Sequence, residues 1–249
     1  MTEIKAQNAP DIGVAPDIDS STDEYALRFS GKAGEWLLSI QSSFTKQHLQ
    51  QVGATDVCDV GGGHAQNVKL IESMGISLTV VGSNSGCSTR VTQFSNSEST
   101  QFVVSALNKL EFESQSQSHI VSYRIVSHMD DWQAYIQELC RVSADAVTID
   151  FATRRSVNYF SELAYKLKRG QEGDTRRYNV VSESVVDQIF RAAAFQKDIR
   201  SAQFFFPMAI HRKLNSPSVS MVIEKVAGLF GLRALFGSPV IATYRREAG

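Results

Sequence analysis

Three consecutive glycines that follow a short apolar run constrain this chain more than any other feature. The stretch Asp56–Leu70 reads DVCDVGGGHAQNVKL, so Gly61, Gly62 and Gly63 lie between a pattern typical of a buried strand and one typical of a helix. Glycine reaches positive φ and, lacking a Cβ, lets another group approach the backbone closely. Such a loop, beside the free N–H groups of a helix N-terminus, indicates a ligand site at the edge of a parallel sheet. A tight turn with close helix packing is the alternative.

The rest of the chain alternates apolar runs with helical stretches, which predicts an α/β fold with helices on both faces of a mostly parallel sheet. A helical section ends near Gly53, and the helix after the glycines is predicted at about residues 65–74. The 249 residues, 43% of them apolar, suffice for one such domain. We expect a flexible leader over residues 1–23 and a single domain over residues 24–249.

Composition excludes several classes of protein. Lys and Arg (25) balance Asp and Glu (26), whereas a nucleic-acid-binding domain is expected to be basic. Three scattered cysteines without metal-ligand spacing argue against a disulfide framework and against a metal site. No secretory signal or long uncharged apolar run is present, so we expect a cytoplasmic protein.

The glycine loop departs from the common nucleotide motifs. The dinucleotide fingerprint needs a third glycine where this chain has Gln66, and the lysine that ends a P-loop is missing. A nicotinamide-dependent oxidoreductase is therefore a disfavoured alternative. The loop instead resembles motif I of class I S-adenosylmethionine-dependent methyltransferases. That resemblance implies S-adenosylmethionine as cofactor, contacted by Asp59, Gly61, Gly62 and Gly63, with Gln66 at the helix start beside them.

The resemblance extends over about residues 24–245. The stretch HIVSYRIVSHMDDWQAYIQELCRVSADAVTIDFA is similar to the family's fourth strand, next helix and fifth strand, and YALRFSGKAGEWLL, KLKRGQEGDTRRYNV and FFFPMAIHRKL resemble small-molecule methyltransferases of ubiquinone and menaquinone biosynthesis. It implies a Rossmann-like, mostly parallel seven-stranded sheet with an N-terminal helical section and a late helical insertion. It also implies lid or substrate-recognition elements at about residues 154–180 and 211–237.

Two departures from the family concern its acidic cofactor contacts. The second strand ends in Gly82, Ser83 and Asn84, where the family has a carboxylate for the ribose hydroxyls. Ala106, followed by Leu107, stands where an acid usually lies near the adenine. By the resemblance these five residues line the cofactor, with neutral hydrogen bonds that are weaker than charge-assisted ones. A catalytically degenerate homologue with a regulatory or interaction role is therefore the alternative function.

Three further residues are expected near the cofactor's sulfonium and amino-acid tail. Tyr123 and Arg124 follow the fourth strand, and an aromatic face beside a sulfonium is favourable. Arg28 belongs to an N-terminal helix that folds over the site in the family. A core tyrosine and a solvated helix arginine are the competing interpretations of Tyr123 and Arg28.

Methyl transfer needs alignment of donor and acceptor, and an oxygen acceptor often needs a base as well. His128, after the fourth strand, and His211, in the late section, are the candidate bases, since histidine titrates near neutral pH. His64 in the glycine loop could touch cofactor or substrate. Helix capping at His128 and a structural or surface role at His211 are the alternatives.

The predicted partner is a small, apolar or amphiphilic acceptor that undergoes O- or C-methylation. RNA and protein acceptors are disfavoured, because the net charge is −1 and no Asn-Pro-Pro-Tyr-like motif follows the fourth strand. The basic, amphipathic stretch at residues 154–180 also suits transient contact with a membrane surface. The apolar segment SVSMVIEKVAGLFGLRALFG, residues 218–237, is interpreted as a pocket cover, with a homodimer face and a lipid interface as alternatives.

Overall fold

A computed structural model describes residues 15–157 and 178–247, and its centre is one twisted sheet with the strand order β3-β2-β1-β4-β5-β8-β7. These strands are β1 Asp56–Val60, β2 Ser77–Gly82, β3 Thr100–Val104, β4 Gln117–Ser122, β5 Ser143–Thr153, β7 Phe195–Ala202 and β8 Val240–Arg246. Strands β1 to β5 are mutually parallel, and β8 runs antiparallel to β5 and β7. A short strand, β6 (Val180–Val181), pairs with β5 beside this path. The predicted seven-stranded, mostly parallel sheet is confirmed.

Helices cover both faces of the sheet. They are α1 Pro16–Ser20, α2 Asp23–Ala26, α3 Gly31–Val52, α4 Val68–Ser73, α5 Ser88–Phe94, α6 Trp132–Val142, α7 Glu183–Ala192, α8 Met208–Leu214, α9 Pro217–Leu229 and α10 Leu232–Phe236. Two large buried apolar clusters separate these helices from the sheet, one around Tyr135, Phe151 and Tyr244 and one around Val57 and Ile71. Within residues 15–157 and 178–247, no helix is long and apolar enough to span a bilayer.

The chain after the glycines departs from the prediction. Gly62–His64 form a single 3-10 turn, and Ala65 adopts a left-handed conformation with φ 63°. Helix α4 therefore begins at Val68 rather than near residue 65. Gln66, predicted at the helix start, lies in the connection before it.

The N-terminal leader predicted over residues 1–23 is too long. Residues 16–20 form α1, in which Asp17 and Ser20 are buried, and Thr22 caps α2 by accepting a hydrogen bond from Tyr25 N. Residues 1–14 lie outside the described part of the chain. The folded chain therefore includes α1, which packs on the glycine loop.

Candidate functional site

The glycine loop lies at the C-terminal end of β1, at the sheet edge where the sequence analysis predicts it. Gly61 has φ 77°, and its N–H donates to Val81 O at 2.8 Å. A Cβ added to Gly61 would lie 2.6 Å from the side chain of Ile125, and one on Gly62 would lie 2.5 Å from Cγ of Asp59. A Cβ on Gly63 would lie 2.2 Å from Oγ of Ser21 and would also clash with Cys87. The groups that approach this backbone are the chain's own atoms.

Helix α1 supplies a carboxylate to the end of β2. Asp17 is fully buried and accepts hydrogen bonds from Ser83 N at 2.7 Å and from Ser83 Oγ at 2.6 Å. Asp17 therefore places a carboxylate at the end of β2, where the sequence of β2 itself has none. Its oxygens accept hydrogen bonds from Ser83 and are not free to bind a ribose. Ser83 is predicted to bind cofactor, but both its backbone N–H and its hydroxyl donate to Asp17 in this conformation.

Asp59 lies beneath the loop and is almost fully buried. Burial raises its pKa to about 6, against the lowering effects of a hydrogen bond from Asn67 Nδ2 at 3.0 Å and of the positive charge of Arg124. Asn67 was not a predicted site residue. Its position at the end of the loop, eight residues after Asp59, is the sequence signal that could have identified it.

A cavity of about 110 Å³ opens beside the ends of β4 and β5. Aromatic rings form part of its wall, and several polar side chains line it as well. The residues that matter for its chemistry are Tyr25, Phe29, Gln41, Arg124, Asp150 and Phe204. Two of these residues, Gln41 on α3 and Asp150 on β5, were not predicted as site residues from the sequence. The lone acid in the apolar strand VTIDFA was the available signal for Asp150.

Arg124 joins the cavity to the glycine loop. Its backbone has φ 64°, and its N–H donates to Asp150 Oδ1 at 2.6 Å. Its guanidinium lies 4.2 Å from the ring centroid of Phe29 and donates to Gln41 Oε1 at 3.1 Å and to His64 Nε2 at 2.9 Å. Because an arginine can only donate, His64 carries its proton on Nδ1. Burial lowers the pKa of His64 to about 2, so the ring is neutral.

Among the residues described, the guanidinium of Arg124 forms no ion pair with a carboxylate. Burial lowers the pKa of Arg124, while the negative charge of Asp150 and a hydrogen bond with the side chain of Tyr25 raise it. Burial also raises the pKa of Asp150 to about 6. The site therefore holds a buried cation and a carboxyl group that titrates near neutral pH.

Of the two histidines predicted as bases, only His128 lies at the cavity. His128 lines the cavity, with its ring 5.4 Å from that of Tyr178. His211 does not line it: the ring is fully buried against Trp36, with Nε2 3.0 Å from Oε1 of Glu224. Since Glu224 also accepts from two backbone N–H groups, at residues 205 and 206, His211 belongs to a structural network. The prediction of a catalytic His211 is wrong for this conformation.

Two residues expected near the cofactor tail lie elsewhere. Tyr123 is a core residue whose hydroxyl pairs with Thr45 Oγ1 at 2.9 Å. Arg28 is exposed, with its guanidinium 5.0 Å from the ring centroid of Tyr25 on the outer side. Both competing interpretations, a core tyrosine and a solvated arginine, are the ones the structure supports.

The other predicted cofactor contacts have local roles. Gly82 leaves room for Phe102 and Cys87, and Asn84 Oδ1 accepts from Gly86 N at 2.7 Å. The remaining residues are Leu107, which is buried in the core, Ala106, whose carbonyl accepts from Lys109 N, and Gln66, which is half-buried with an unpartnered Oε1.

The lid segments have a mixed outcome. Residues 158–177 of the predicted 154–180 element lie outside the described residues. In the described chain, no residue of 211–237 lines the cavity. Helix α9 and the residue after it instead expose Val222, Leu229 and Phe230 to solvent, so the predicted pocket cover is wrong in this conformation.

S-adenosylmethionine does not fit the site in this conformation. Ligand pockets for molecules of such size occupy roughly 300–1,000 Å³, whereas the cavity measures about 110 Å³. The space over Gly63 and at the end of β2 contains Ser21 and Asp17. Cofactor can enter the loop only if α1 moves away.

Comparison with known proteins establishes the fold. Residues 58–146 match a family model described as a methyltransferase domain. Magnesium protoporphyrin IX methyltransferase from Synechocystis PCC 6803, solved with bound SAH, is similar with a TM-score of 0.61 and 12% identity over 87% of this chain and 86% of that one. The PH0226 protein from Pyrococcus horikoshii OT3 has a TM-score of 0.56 and 14% identity over 92% and 94% of the two chains.

The cyclase SpnF is similar too, with a TM-score of 0.55 and 15% identity over 84% of this chain and 81% of that one. At such identities the likeness concerns the fold alone, and a cyclase beside a methyltransferase shows that one fold carries different reactions. No curated protein matches the chain significantly. The predicted Rossmann-like fold is confirmed, and the match to the methyltransferase-domain model is limited to residues 58–146.

Proposed function

We propose that this chain methylates a small acceptor held in the cavity beside β4 and β5. The observation that carries the proposal is the contact between Arg124, which lines the cavity, and His64 of the glycine loop. An acceptor in the cavity would lie next to the loop at the sheet edge where α/β folds bind ligands. Aromatic walls suit an apolar or amphiphilic acceptor, methylated on oxygen or carbon.

The resemblance to ubiquinone and menaquinone methyltransferases agrees with an apolar acceptor of this kind. A small acceptor in place of RNA or protein is further supported by the size of the cavity, about 110 Å³. His128 is the proposed base among the histidines, because it lines the cavity.

The proposal requires α1 to leave the glycine loop before the cofactor binds. Removing the Asp17 carboxylate should favour that opening, since it deletes two hydrogen bonds to Ser83, each worth roughly 1.5–3 kcal/mol for a charged acceptor. Because the open conformation would then be more populated, the apparent affinity for S-adenosylhomocysteine should rise.

The test is calorimetric titration of S-adenosylhomocysteine into the full chain, Asp17→Ala and Asp19→Ala. Asp19 lies on the exposed side of the same helix and is the matched control. We expect Asp17→Ala to bind at least about tenfold more tightly than the wild type, and Asp19→Ala to match the wild type. Absence of heat for all three folded proteins would contradict the proposal.

The second candidate function is a catalytically degenerate binding or regulatory homologue. The observation that favours it is the closure of the loop by Asp17 and Ser21. Binding of S-adenosylhomocysteine without a methylated product across a panel of small acceptors would favour this candidate. Product detected by mass spectrometry would decide for methyl transfer.

A further inference from the structure

The cavity beside β4 and β5 contains polar groups that the described protein does not satisfy. Gln41 is 5% exposed, its Oε1 accepts from Arg124, and its Nε2 has no hydrogen-bond partner. Asp150 is 6% exposed, and within the described residues only its Oδ1 forms a hydrogen bond. Buried polar groups are normally paired, so the unpaired Gln41 donor in this cavity indicates a missing partner.

The apolar side chains of the cavity indicate the shape of a ligand that could supply the missing hydrogen-bond partner. Tyr25, Phe29 and Phe204 contribute aromatic rings, and Leu37 and Met208 complete the wall. A volume of about 110 Å³ is on the order of the engineered 150 Å³ cavity that takes up benzene. A single planar ring fits this space.

The polar groups define the substituent. Asp150, in the lining of the cavity, offers Oδ2 as an acceptor, while the buried Gln41 Nε2 lacks an acceptor. The guanidinium of Arg124, which has no carboxylate partner in the described chain, adds further donors on the same side as Gln41. A hydroxyl group both donates and accepts, whereas a ring without a polar substituent would leave the Gln41 donor unpaired.

We propose that this cavity is a binding site for a single-ring phenol, whose hydroxyl donates to Asp150 and whose ring lies between Tyr25, Phe29 and Phe204. The left-handed backbone of Arg124, fixed by its N–H bond to Asp150, holds both side chains at the cavity edge. That this phenol is the methyl acceptor rests on the proposed function, whereas its binding does not.

The binding test uses phenol and toluene as probes, which differ by one hydroxyl group and have similar size. Ligand-detected NMR titrations without S-adenosylmethionine should show phenol binding the wild type at least about tenfold more tightly than toluene, the effect of a hydrogen bond to a charged group. Equal affinity for the two probes, or no phenol binding at millimolar concentration, would overturn the inference.

Variants locate the site. Asp150→Asn keeps the shape and the acceptor for Arg124 N–H, and should weaken phenol binding about tenfold while leaving toluene unchanged. Asp145→Asn, at the exposed start of β5, is the matched control and should leave both probes unchanged. Wild-type affinity for phenol in Asp150→Asn would contradict the site. Should that variant not fold, Gln41→Leu, on another element, should weaken phenol binding relative to toluene.

The outcome is separable from that of the proposed function. Phenol binding without any methylated phenol in the presence of S-adenosylmethionine would leave the site intact and refute phenol as the acceptor. Cofactor binding and methyl transfer to other acceptors, without phenol binding, would refute the site and leave the proposed function intact.

Discussion

The two halves of the sheet edge differ in what occupies the space beside the strand ends. Over β1 and β2, Asp17 binds Ser83 and Asn67 binds Asp59, and protein atoms fill the space above the glycines. Beside β4 and β5, a cavity remains in which Gln41 Nε2 has no partner. A glycine cluster therefore indicates close approach to a backbone, but does not identify the approaching group.

The largest effect on stability is expected for Gly61→Ala, in the glycine loop over β1 and β2. A left-handed alanine costs roughly 1–2 kcal/mol, and overpacking against the buried Ile125 adds roughly 1–3 kcal/mol, so we expect about 3 kcal/mol of lost unfolding free energy in urea. Gly53→Ala is the control, since Gly53 has φ 68° and nothing within 4 Å of an added Cβ. Equal losses in the two variants would mean that the space above Gly61 is open.

A second test compares one amide in each half. Asn67→Leu should lower the free energy of unfolding by about 2 kcal/mol, because it leaves a buried oxygen of Asp59 without its donor. Gln41→Leu should change it by less than about 1 kcal/mol, since the loss of an acceptor for Arg124 is offset by removal of the unpartnered Nε2. Chemical denaturation measures both. A larger loss for Gln41→Leu would mean that the cavity is satisfied without a ligand.

Much of the fold was predictable because its signals are local. Apolar runs such as DVCDV, and the helical spacing that follows them, indicate the parallel strands and place the glycine loop at the sheet edge. The sequence could not predict that Asp17 docks on Ser83, because the two residues are 66 positions apart and a short acidic segment has the composition of a solvated leader. His128 at the cavity was found because it closely follows a strand.

The wrongly predicted base shows the same limit. His211 has a titratable ring in a late apolar section, which suited a base, but its partner Glu224 lies within the next helix and is recognisable only in space. Asp150 was the opposite case, because it lies in the apolar segment VTIDFA of β5, where the sequence alone indicates that an acid is buried. Buried acids cluster at functional sites, so an acid in such a segment is a signal of the same kind as a histidine that follows a strand.

The smallest expected effect is the pH dependence of phenol binding in the cavity beside β4 and β5. Burial raises the pKa of Asp150 to about 6, opposed by the hydrogen bond and the positive charge of Arg124. Phenol needs the ionised carboxylate as its acceptor, so its affinity should be full above about pH 6 and should fall as the pH decreases through that value, by at most about tenfold per unit. Asp150→Asn should show no such dependence, and Asp145→Asn should retain it. A wild-type affinity that is constant between pH 5 and 7, roughly one unit either side of that pKa, would show that Asp150 is not the group that phenol contacts.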